Sequence, residues 1–585
     1  MEQPRRPQRD RVGRVAWVER LRVGRDEHLE GPDAAALLRG LAPARAASEA
    51  GDQEGEKAEE GRARTRGFRG TRGRRRKAVM RARSASALLF ATSLASTLLL
   101  EGGARSEPSA ASAAAPSAAP APTAARSPEL ESAVRALVNN RELVGAQIGV
   151  VLVDCETGNV LAQSGEHVVV NPASNAKLYT AAAALAILHG SHRYQTTLSG
   201  TIKSGVASGL VLRGHGDPSL RTQDLWAMAQ ELKAHGARRV EGDIVVDQRF
   251  FDEQTTPPAF EQQPNEWAAF RAPVSAVAVN ENAITMTVRP GAPGSNASVS
   301  FEPSGFVDVE GTVKTSDSGA DTVGLELAKT GEGGHRLSAK VSGTVAADSH
   351  LVRYTKRVED PQLLAGYALR SILDESGIKV SGDVKLVASG KDAKESKSNV
   401  LARHESEPLS TLLYGLGKNS DNFYAEMIFK SIAAEVKPRP AKSQDSAEIV
   451  TKWVEKNDLG DTGLVVKNGS GLFDANRTTA HSMSKLLRFV WQDPGLRGEF
   501  VSQLAIGGVD GTLHKRFRDL RSHRAVRAKT GTLDDAIALS GYVLAPSGKN
   551  TIGFAILFNK VSGKGGAARA AADKLVEKVH ESQWK

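Results

Sequence analysis

The spacing of apolar residues changes twice along the 585 residues of the chain. Residues 195–398 consist of short stretches of alternating polarity, separated by Gly, Asp and Ser turns, which is typical of β-strands. Residues 128–194 and 399–585 carry longer runs with helical spacing, and the second segment ends in strands and a closing helix. We therefore predict one α/β domain that is split in sequence by a large β-rich insertion. Within the insertion, the helical run TQDLWAMAQELKAHG favours a smaller subdomain of about residues 221–286.

The segment before residue 128 predicts no folded domain. Residues 1–79 are rich in Arg, Gly and Ala, and we interpret them as a non-native or disordered extension. Residues 80–104 combine a basic start, an apolar run and small residues, the pattern of a secretory signal peptide that begins at Met80. Residues 105–127 form an Ala/Pro/Ser linker. We therefore expect export to the periplasm or cell envelope; the alternative is one transmembrane helix behind a basic tail.

The basic balance of the chain belongs to its N-terminal tail. The chain holds 77 Lys and Arg against 67 Asp and Glu, a net charge of +10. Residues 1–83 hold 22 of these basic residues and 13 of the acidic ones, which leaves 55 against 54 for the rest. The body therefore offers no electrostatic reason to bind nucleic acid, and at most a peripheral association with membranes is expected.

The chain has a single cysteine, Cys155, within the apolar run GVVLVDCETG. One cysteine allows neither a disulfide framework nor a Cys-based metal site. We expect Cys155 to be a buried structural thiol.

A serine and a lysine stand at the start of the Ala-rich run NPASNAKLYTAAAALAILHG, residues 171–190. The first turn of a helix carries a partial positive charge, so a lysine there is unfavourable without a special role. In one interpretation Ser174 caps the helix and Lys177 is solvated. In the other, Ser174 is a nucleophile whose proton is taken by an unprotonated Lys177. The spacing alone does not decide, because Ser482 and Lys485 repeat it.

Two motifs in the second half supply the partners that a serine nucleophile needs. SDN at Ser420–Asn422 lies in a helical run, and KTG at Lys529–Gly531 opens a strand. Another KTG, Lys329–Gly331, precedes SDN and ends in a Gly-rich turn. The order SxxK, SDN, KTG is the combination of class A β-lactamases and penicillin-binding proteins. The chain contains neither GxSxG nor HExxH, which disfavours a Ser-His-Asp hydrolase and a zinc peptidase.

Each of these residue types has a chemical reason to be there. Lys177, kept neutral by burial and by nearby cations, can accept the proton of Ser174. Backbone N–H groups at the helix start and on the KTG strand can stabilise the oxyanion. Ser420 can relay the proton to the leaving amine, and Asn422 can hold the substrate amide. The other predicted substrate contacts are Asp421, the carboxylate anchors Lys529, Thr530 and Thr532, and Gly531, which leaves room for the substrate. The chemistry requires no metal and no cofactor.

Five stretches carry a resemblance to a known family: PASNAKLYTAAAAL, GHGDPSL, SDNFYAEM, NGSGL and RAKTGTL…LSGYV. They resemble the class C low-molecular-mass penicillin-binding proteins, the D-alanyl-D-alanine carboxypeptidase/endopeptidases of the DacB type, across about residues 128–585. The 246 residues between Ser174 and Ser420 fit that family's insertion, which class A β-lactamases lack. The resemblance implies a serine β-lactamase-like transpeptidase domain, an antiparallel sheet flanked by helices.

The resemblance also implies a function. Family members remove the terminal D-Ala from peptidoglycan stem peptides, cleave cross-links and are acylated by β-lactam antibiotics. The catalytic roles are carried over to Ser174, Lys177, Ser420, Asn422 and Lys529 only. A β-lactamase or esterase on the same fold would share these residues but hydrolyse its acyl-enzyme quickly. A catalytically idle cell-wall-binding protein is the other alternative, although none of the polar residues is lost.

One departure from the family concerns substrate specificity. The GSGL turn is often followed there by Ser-Arg, an arginine that resembles an anchor for the side-chain carboxylate of diaminopimelate. Here Phe473 and Asp474 follow, with Arg477 three residues on. An aspartate repels a carboxylate, so we predict weaker discrimination for a free side-chain carboxylate. Two alternatives stay open: Arg477 reaches the site instead, or Asp474 caps a turn and Arg477 is solvated.

Overall fold

A computed structural model of the protein describes residues 126–330, 335–387 and 399–584. The predicted extension and signal peptide, and the linker up to residue 125, lie outside the described residues. The predictions made for them therefore stay predictions.

The helices of the described residues fall on both sides of the β-rich middle of the chain, with two inside it. They are α1 (Pro128–Val138), α2 (Ala176–Leu188), α3 (Thr222–Ala234), α4 (Leu364–Glu375), α5 (Leu409–Gly417), α6 (Asn422–Val436), α7 (Ser443–Lys456), α8 (Ala480–Gln492), α9 (Pro494–Ser502) and α10 (Gly565–Trp584).

The strands are concentrated between α2 and α5 and near the C-terminal end. They are β1 (Gln147–Asp154), β2 (Val160–Ser164), β3 (Gln195–Lys203), β4 (Val206–Gly214), β5 (Arg239–Asp247), β6 (Ala283–Arg289), β7 (Ser298–Glu302), β8 (Val307–Gly311), β9 (Lys314–Ser316), β10 (Gly324–Lys329), β11 (Leu337–Ser342), β12 (Thr344–Ala346), β13 (Val352–Arg357), β14 (Lys379–Val380), β15 (Val384–Val387), β16 (Asn399–Glu405), β17 (Ala505–Ile506), β18 (Val526–Leu533), β19 (Ala536–Val543) and β20 (Ile552–Asn559).

One antiparallel sheet joins the two ends of the described chain, in the order β17-β18-β19-β20-β1-β2. Alternate residues of β1 enter two different cores, as expected for the period of two along a strand. Val151 packs in the core with α2, α5, α6, α8 and α9, whereas Val150 and Leu152 pack in the core with α1 and α10. The sheet is therefore covered by helices on both faces, as predicted.

The Ala-rich helix α2 lies inside the first of these cores. Residues 176–185 are all buried, and the small side chains let neighbouring helices approach closely. Burial of the whole helix takes its first turn out of water, including Lys177, which is fully buried. Lys177, three residues after Ser174, therefore lies in a low-dielectric environment.

The insertion is built on its own mixed sheet, in the order β14-β5-β4-β3-β16, with β15 also paired to β5. Helices α3 and α4 pack against it around Leu225 and Leu369. Smaller sheets follow, of β13-β6-β7, β10-β11-β8 and β12-β9. Because β16 pairs with β3, residues 399–405 join the insertion's sheet rather than the flanking segment.

The pairing also divides the insertion differently from the predicted subdomain of residues 221–286. Strand β5 lies within that range but pairs with β4 before it and with β14 and β15 after it. Strand β6, at the end of the range, pairs instead with β7 and β13. Each sheet is completed by strands that are distant in sequence. The local sequence pattern therefore does not predict how the insertion divides into sheets.

Among the described residues, no helix combines the length and the apolar character needed to cross a membrane.

Candidate active site

Ser174 lies in a 3₁₀ turn, Ala173–Asn175, immediately before α2. The turn is held by Asn171, whose Oδ1 accepts a hydrogen bond from Ala173 N at 2.9 Å. Neither the turn nor α2 shows a side-chain hydrogen bond at its N-cap, so Ser174 does not act as a capping residue. Its side chain is partly exposed and lies next to a fully buried Lys177.

The Lys177 amine has three oxygen neighbours. Its Nζ lies 3.1 Å from Ser174 Oγ, 2.6 Å from Asn422 Oδ1 and 2.7 Å from the carbonyl oxygen of Ser470. A neutral amine has two N–H groups and one lone pair, while a carbonyl oxygen can only accept. The two N–H groups match Asn422 and Ser470, which leaves the lone pair to accept the Ser174 hydroxyl proton.

Burial lowers the pKa of Lys177 to about 7. The carboxylates of Glu426 and Asp421 oppose this shift because they stabilise the ammonium form. The neutral form of Lys177 is predicted from the sequence to result from burial together with nearby cations. Burial is the largest cause of the shift. Lys529 is a nearby cation, since the charge of Lys177 lowers its pKa, and this repulsion between the two amines is mutual.

The second serine and lysine form a similar pair. Lys529 lies fully buried on β18, and its Nζ is 2.6 Å from Ser420 Oγ and 2.8 Å from the Thr530 carbonyl oxygen. Burial, and then the like charge of Lys177, hold the pKa of Lys529 well below its ordinary value. Ser420 has a φ of 60°, in the left-handed region that non-glycine residues seldom adopt. Such strain is found where a side chain is held for function.

Asn422 begins α6, and its amide is held at both ends. Its Oδ1 accepts from Lys177, and its Nδ2 donates to the carbonyl oxygen of Phe270 at 3.1 Å. Phe270 belongs to the insertion, in the 3₁₀ turn Ala269–Arg271. The inserted region therefore reaches the site and helps to orient the amide.

Asp421 is the N-cap of α6, where its side chain accepts from Tyr424 N at 3.0 Å. Burial and the nearby Glu281 raise its pKa. A substrate contact is predicted for Asp421 from the sequence and stays a prediction; in the structure its side chain caps this helix. Asp421 therefore orients the motif that carries Ser420 and Asn422.

The KTG strand presents an open edge beside these residues. On its outer side β18 pairs with β17 only at Arg527 and Ala528, and no described strand continues along Lys529 and beyond. Thr532 is exposed, and Thr530 Oγ1 donates to Thr512 Oγ1 at 2.9 Å. An unpaired edge can take up an extended peptide as an added strand.

Gly531 packs against the turn that carries Ser174, and the predicted room for the substrate stays a prediction. A Cβ at this position would lie 2.9 Å from the Pro172 carbonyl oxygen and 3.1 Å from Ala173 Cβ. The absence of a side chain therefore lets β18 pack closely against the turn that carries Ser174. This close packing brings the KTG strand and Ser174 together, a contact that the sequence did not predict.

Glu426 is a buried residue that the sequence analysis did not select. Its carboxylate accepts from Ser470 N at 2.8 Å and from Gly469 N at 3.2 Å. Ser470 in turn accepts from Lys177 through its carbonyl oxygen, so Glu426 positions the loop that orients the lysine. Burial raises the pKa of Glu426 itself. Its position four residues after Asn422, on the same face of α6, was the signal that could have found it.

The predicted specificity residues pair with each other. Arg477 Nη2 lies 2.7 Å from Asp474 Oδ1, so Arg477 is paired with Asp474 rather than simply solvated. Phe473 packs edge-on against Phe260, with ring centroids 5.8 Å apart, and Arg271 lies over its ring at 5.2 Å. Arg271 is a nearby cation that the sequence analysis did not select. The predicted specificity stays a prediction.

The repeated motifs have other roles. Ser482 Oγ donates to the Leu459 carbonyl oxygen at 2.7 Å, and Lys485 pairs with Asp458 at 2.9 Å. Lys329 lies in β10 of the insertion and pairs with Glu359 at 3.6 Å. The structure thus brings together the residues of the first SxxK, the SDN and the second KTG motif.

Comparisons with known proteins place the chain in a family. The profile of the D-Ala-D-Ala carboxypeptidase 3 (S13) family matches residues 130–579. A D-alanyl-D-alanine carboxypeptidase of Actinomadura sp. (strain R39) is 33% identical over 472 residues, covering 77% of this chain and 85% of the relative. The D-alanyl-D-alanine carboxypeptidase DacB of Haemophilus influenzae is 25% identical over 418 residues, covering 69% and 84%.

The fold has a close match as well. The crystal structure of penicillin-binding protein 4 (dacB) from Haemophilus influenzae superposes with a TM-score of 0.63 and 24% identity, covering 77% of this chain and 99% of that one. This match confirms the predicted fold class, and the family profile and the relatives confirm the predicted enzyme class. The chain belongs to the S13 family of serine-type D-Ala-D-Ala carboxypeptidases.

Proposed function

We propose that the chain releases D-Ala from peptidoglycan stem peptides through an acyl-enzyme on Ser174. The observation that carries this proposal is the Lys177 amine, which is fully buried and 3.1 Å from Ser174 Oγ, with both N–H groups matched to carbonyl oxygens. A base with a pKa of about 7 is half neutral at neutral pH, which suits general-base catalysis.

The reaction then follows from the positions of the groups. Lys177 removes the hydroxyl proton as Ser174 Oγ forms a bond to the carbonyl carbon of the penultimate D-Ala. Backbone N–H groups near Ser174 and along β18 stabilise the oxyanion. Ser420 relays the proton taken by Lys177 to the leaving amine, the C–N bond breaks, and the terminal D-Ala departs. Water then attacks the ester, which releases the shortened stem peptide with a free carboxylate and restores the serine hydroxyl.

Lys529 is proposed to hold the terminal carboxylate of the substrate. Burial and Lys177 both lower the pKa of its amine, which favours the uncharged form in the free site. An arriving carboxylate favours the ammonium form, so substrate binding would draw a proton onto Lys529. Lys529 would therefore become charged when the substrate carboxylate binds beside it.

Two finer points belong to the same proposal. A strand edge open beyond Ala528 supports binding of an extended stem peptide, and cleavage of cross-links is proposed as a second activity on the same site. β-Lactams are proposed to acylate Ser174, since their strained amide meets the same nucleophile.

The signal-like residues 80–104 support export to the periplasm or cell envelope.

The test is labelling with fluorescent penicillin, together with measurement of D-Ala release from a D-Ala-D-Ala peptide. Ser174→Ala should lose labelling and at least about 10³-fold of the release rate, because removal of a nucleophile disables the whole catalytic unit. Ser482→Ala, in the repeated motif, is the matched control and should keep both. Loss of labelling in Ser482→Ala alone would refute the assignment, and rapid turnover of a chromogenic cephalosporin would favour a β-lactamase.

The same label applied to fractionated cells tests export. Labelled protein should appear in the periplasmic or envelope fraction, with an N-terminus close to Arg105. An envelope protein that retains residues 1–79 would instead support the membrane-anchored alternative.

A further inference from the structure

Two histidines and an aspartate meet at a point that the catalytic chemistry does not use. His167 follows β2, Asp461 follows α7, and His481 is the second residue of α8. His167 Nδ1 lies 3.2 Å from Asp461 Oδ2, and His481 Nδ1 lies 2.9 Å from Asp461 Oδ1. One candidate ligand atom from each residue can be chosen so that all three lie within 4.8 Å of one another.

These separations match a metal coordination sphere. Zinc binds imidazole nitrogen and carboxylate oxygen at about 2.0–2.2 Å, so neighbouring ligands of a tetrahedral ion are about 3.3 Å apart. Asp461 Oδ2 lies 3.2 Å from both His167 Nδ1 and His481 Nδ1, close to that value, and the third separation is within 4.8 Å, which a small rotation of the exposed His167 ring can shorten. A metal ion would replace the hydrogen bonds that now join the two imidazoles to the carboxylate.

The backbone around the cluster is fixed independently of any ion. Val170 and Thr478 exchange two backbone hydrogen bonds of 2.9 Å, and His481 N donates to the Glu166 carbonyl oxygen at 3.0 Å. These bonds hold the segments of both histidines side by side. Because the backbone that carries the ligands is already ordered, metal binding would order only the side chains. This lowers the entropic cost of binding and favours affinity.

The carboxylate also has a fixed orientation. Thr479 Oγ1 donates to Asp461 Oδ2 at 2.5 Å, an outer contact of the kind that orients metal ligands. Its negative charge offsets the positive end of α8, which would otherwise disfavour a cation beside His481. The His167 side chain is 65% exposed, so solvent can reach the cluster and supply the fourth ligand.

We propose that His167, Asp461 and His481 bind one divalent transition-metal ion of the zinc type, completed by water. Imidazole ligands favour Zn²⁺, Ni²⁺ or Cu²⁺ over Mg²⁺ or Ca²⁺. The ion ties the segment that leads from β2 towards Ser174 to the start of α8, and it takes no part in acyl transfer. No metal is expected from the sequence; the three ligands are far apart in the chain, so no local motif indicates them.

The test uses the full chain without an affinity tag, freed of metal with EDTA. Titration calorimetry with Zn²⁺ should show one site per chain, Mg²⁺ should show none, and Zn²⁺ should raise the melting temperature reversibly. The variant His167→Gln should bind Zn²⁺ at least about tenfold more weakly, since loss of an outer contact alone costs that much. His235→Gln, at an exposed histidine after α3, is the matched control and should bind like the wild type.

Two results would overturn the proposal: no saturable Zn²⁺ binding by the wild type, or equal affinities of wild type and His167→Gln. Because His167 is exposed, its substitution leaves the core intact, and an unchanged melting temperature without metal checks this. The release of D-Ala should be similar in both proteins, so the outcome is independent of the proposed catalytic roles.

Discussion

The site contains two Ser–Lys pairs, each with a buried lysine, that look alike but lie in different charge environments. Ser174 and Lys177 are 3.1 Å apart, and Ser420 and Lys529 are 2.6 Å apart. Burial lowers the pKa of both lysines, but Glu426 and Asp421 partly offset this at Lys177, whereas Lys177 itself adds to the shift at Lys529. The same pair of residue types can therefore serve two roles: a base poised near neutral pH, and an amine that takes up charge when a carboxylate arrives.

The largest effect is expected from Lys177→Ala. Loss of the base should reduce the rate of acylation by labelled penicillin about 10²- to 10⁴-fold, because a positioned base contributes that much. The matched control is Lys485→Ala, the lysine of the repeated motif. If Lys177→Ala acylated at a rate close to wild type, the first pair would not be the base and nucleophile.

Lys529→Ala should have a smaller and substrate-dependent effect. A charge-assisted contact contributes about 1.5–3 kcal/mol, so kcat/KM for a D-Ala-D-Ala peptide should fall about 10- to 150-fold. The same peptide with an amidated C-terminus lacks the carboxylate and should lose much less. Equal losses for the two peptides would mean that Lys529 acts on the chemical step rather than as an anchor, and the two pairs would no longer differ in role.

Glu426→Gln tests the charge that distinguishes the pairs. The wild-type acylation rate should fall as the pH drops through about 7, because protonated Lys177 cannot act as a base. Glu426 raises the pKa of Lys177, so its neutralisation should lower that pKa and move the acid limb of the pH–rate profile to lower pH. Glu435→Gln, at an exposed position on the same helix, is the control. A limb that stays in place in Glu426→Gln would show that the carboxylate acts only through the loop.

The smallest effect concerns stem-peptide specificity. Asp474 and Arg477 form a partly exposed ion pair, and such pairs contribute about 0–1 kcal/mol. The wild type should therefore prefer a free diaminopimelyl peptide over its amidated or lysine analogue by about fivefold or less in kcat/KM, and Asp474→Arg should increase that preference. A strong wild-type preference that disappears in Arg477→Ala would show that Arg477 anchors the carboxylate.

Local patterns were sufficient for much of the fold. The Ala-rich run predicted α2, and the alternating apolar residues of GVVLVDCETGNVLAQSG predicted the hairpin of β1 and β2. Sheet membership was harder, because β5 and β16 find partners that are distant in sequence. The alternation of apolar and polar residues predicts which residues form strands. Which strands pair with each other depends on how separate segments of the chain pack.

The sequence by itself determined which chemistry the chain can carry out. Ser174, Lys177, Ser420, Asn422 and Lys529 stand in motifs whose order and residue types indicate serine acyl transfer, and family membership agrees with it. Local spacing carried this information because each motif lies within one turn or one strand, where backbone geometry fixes the separation of side chains.

Only the tertiary structure decided how those residues are tuned. Lys177 meets Asn422 and the Ser470 carbonyl across separations of 245 and 293 residues, and the pKa of its amine depends on burial in a core made by distant helices. The capping role of Asp421 and the close approach at Gly531 are likewise set by packing. Electrostatic effects depend on distance and dielectric environment in space, and neither is written in the local order of residues.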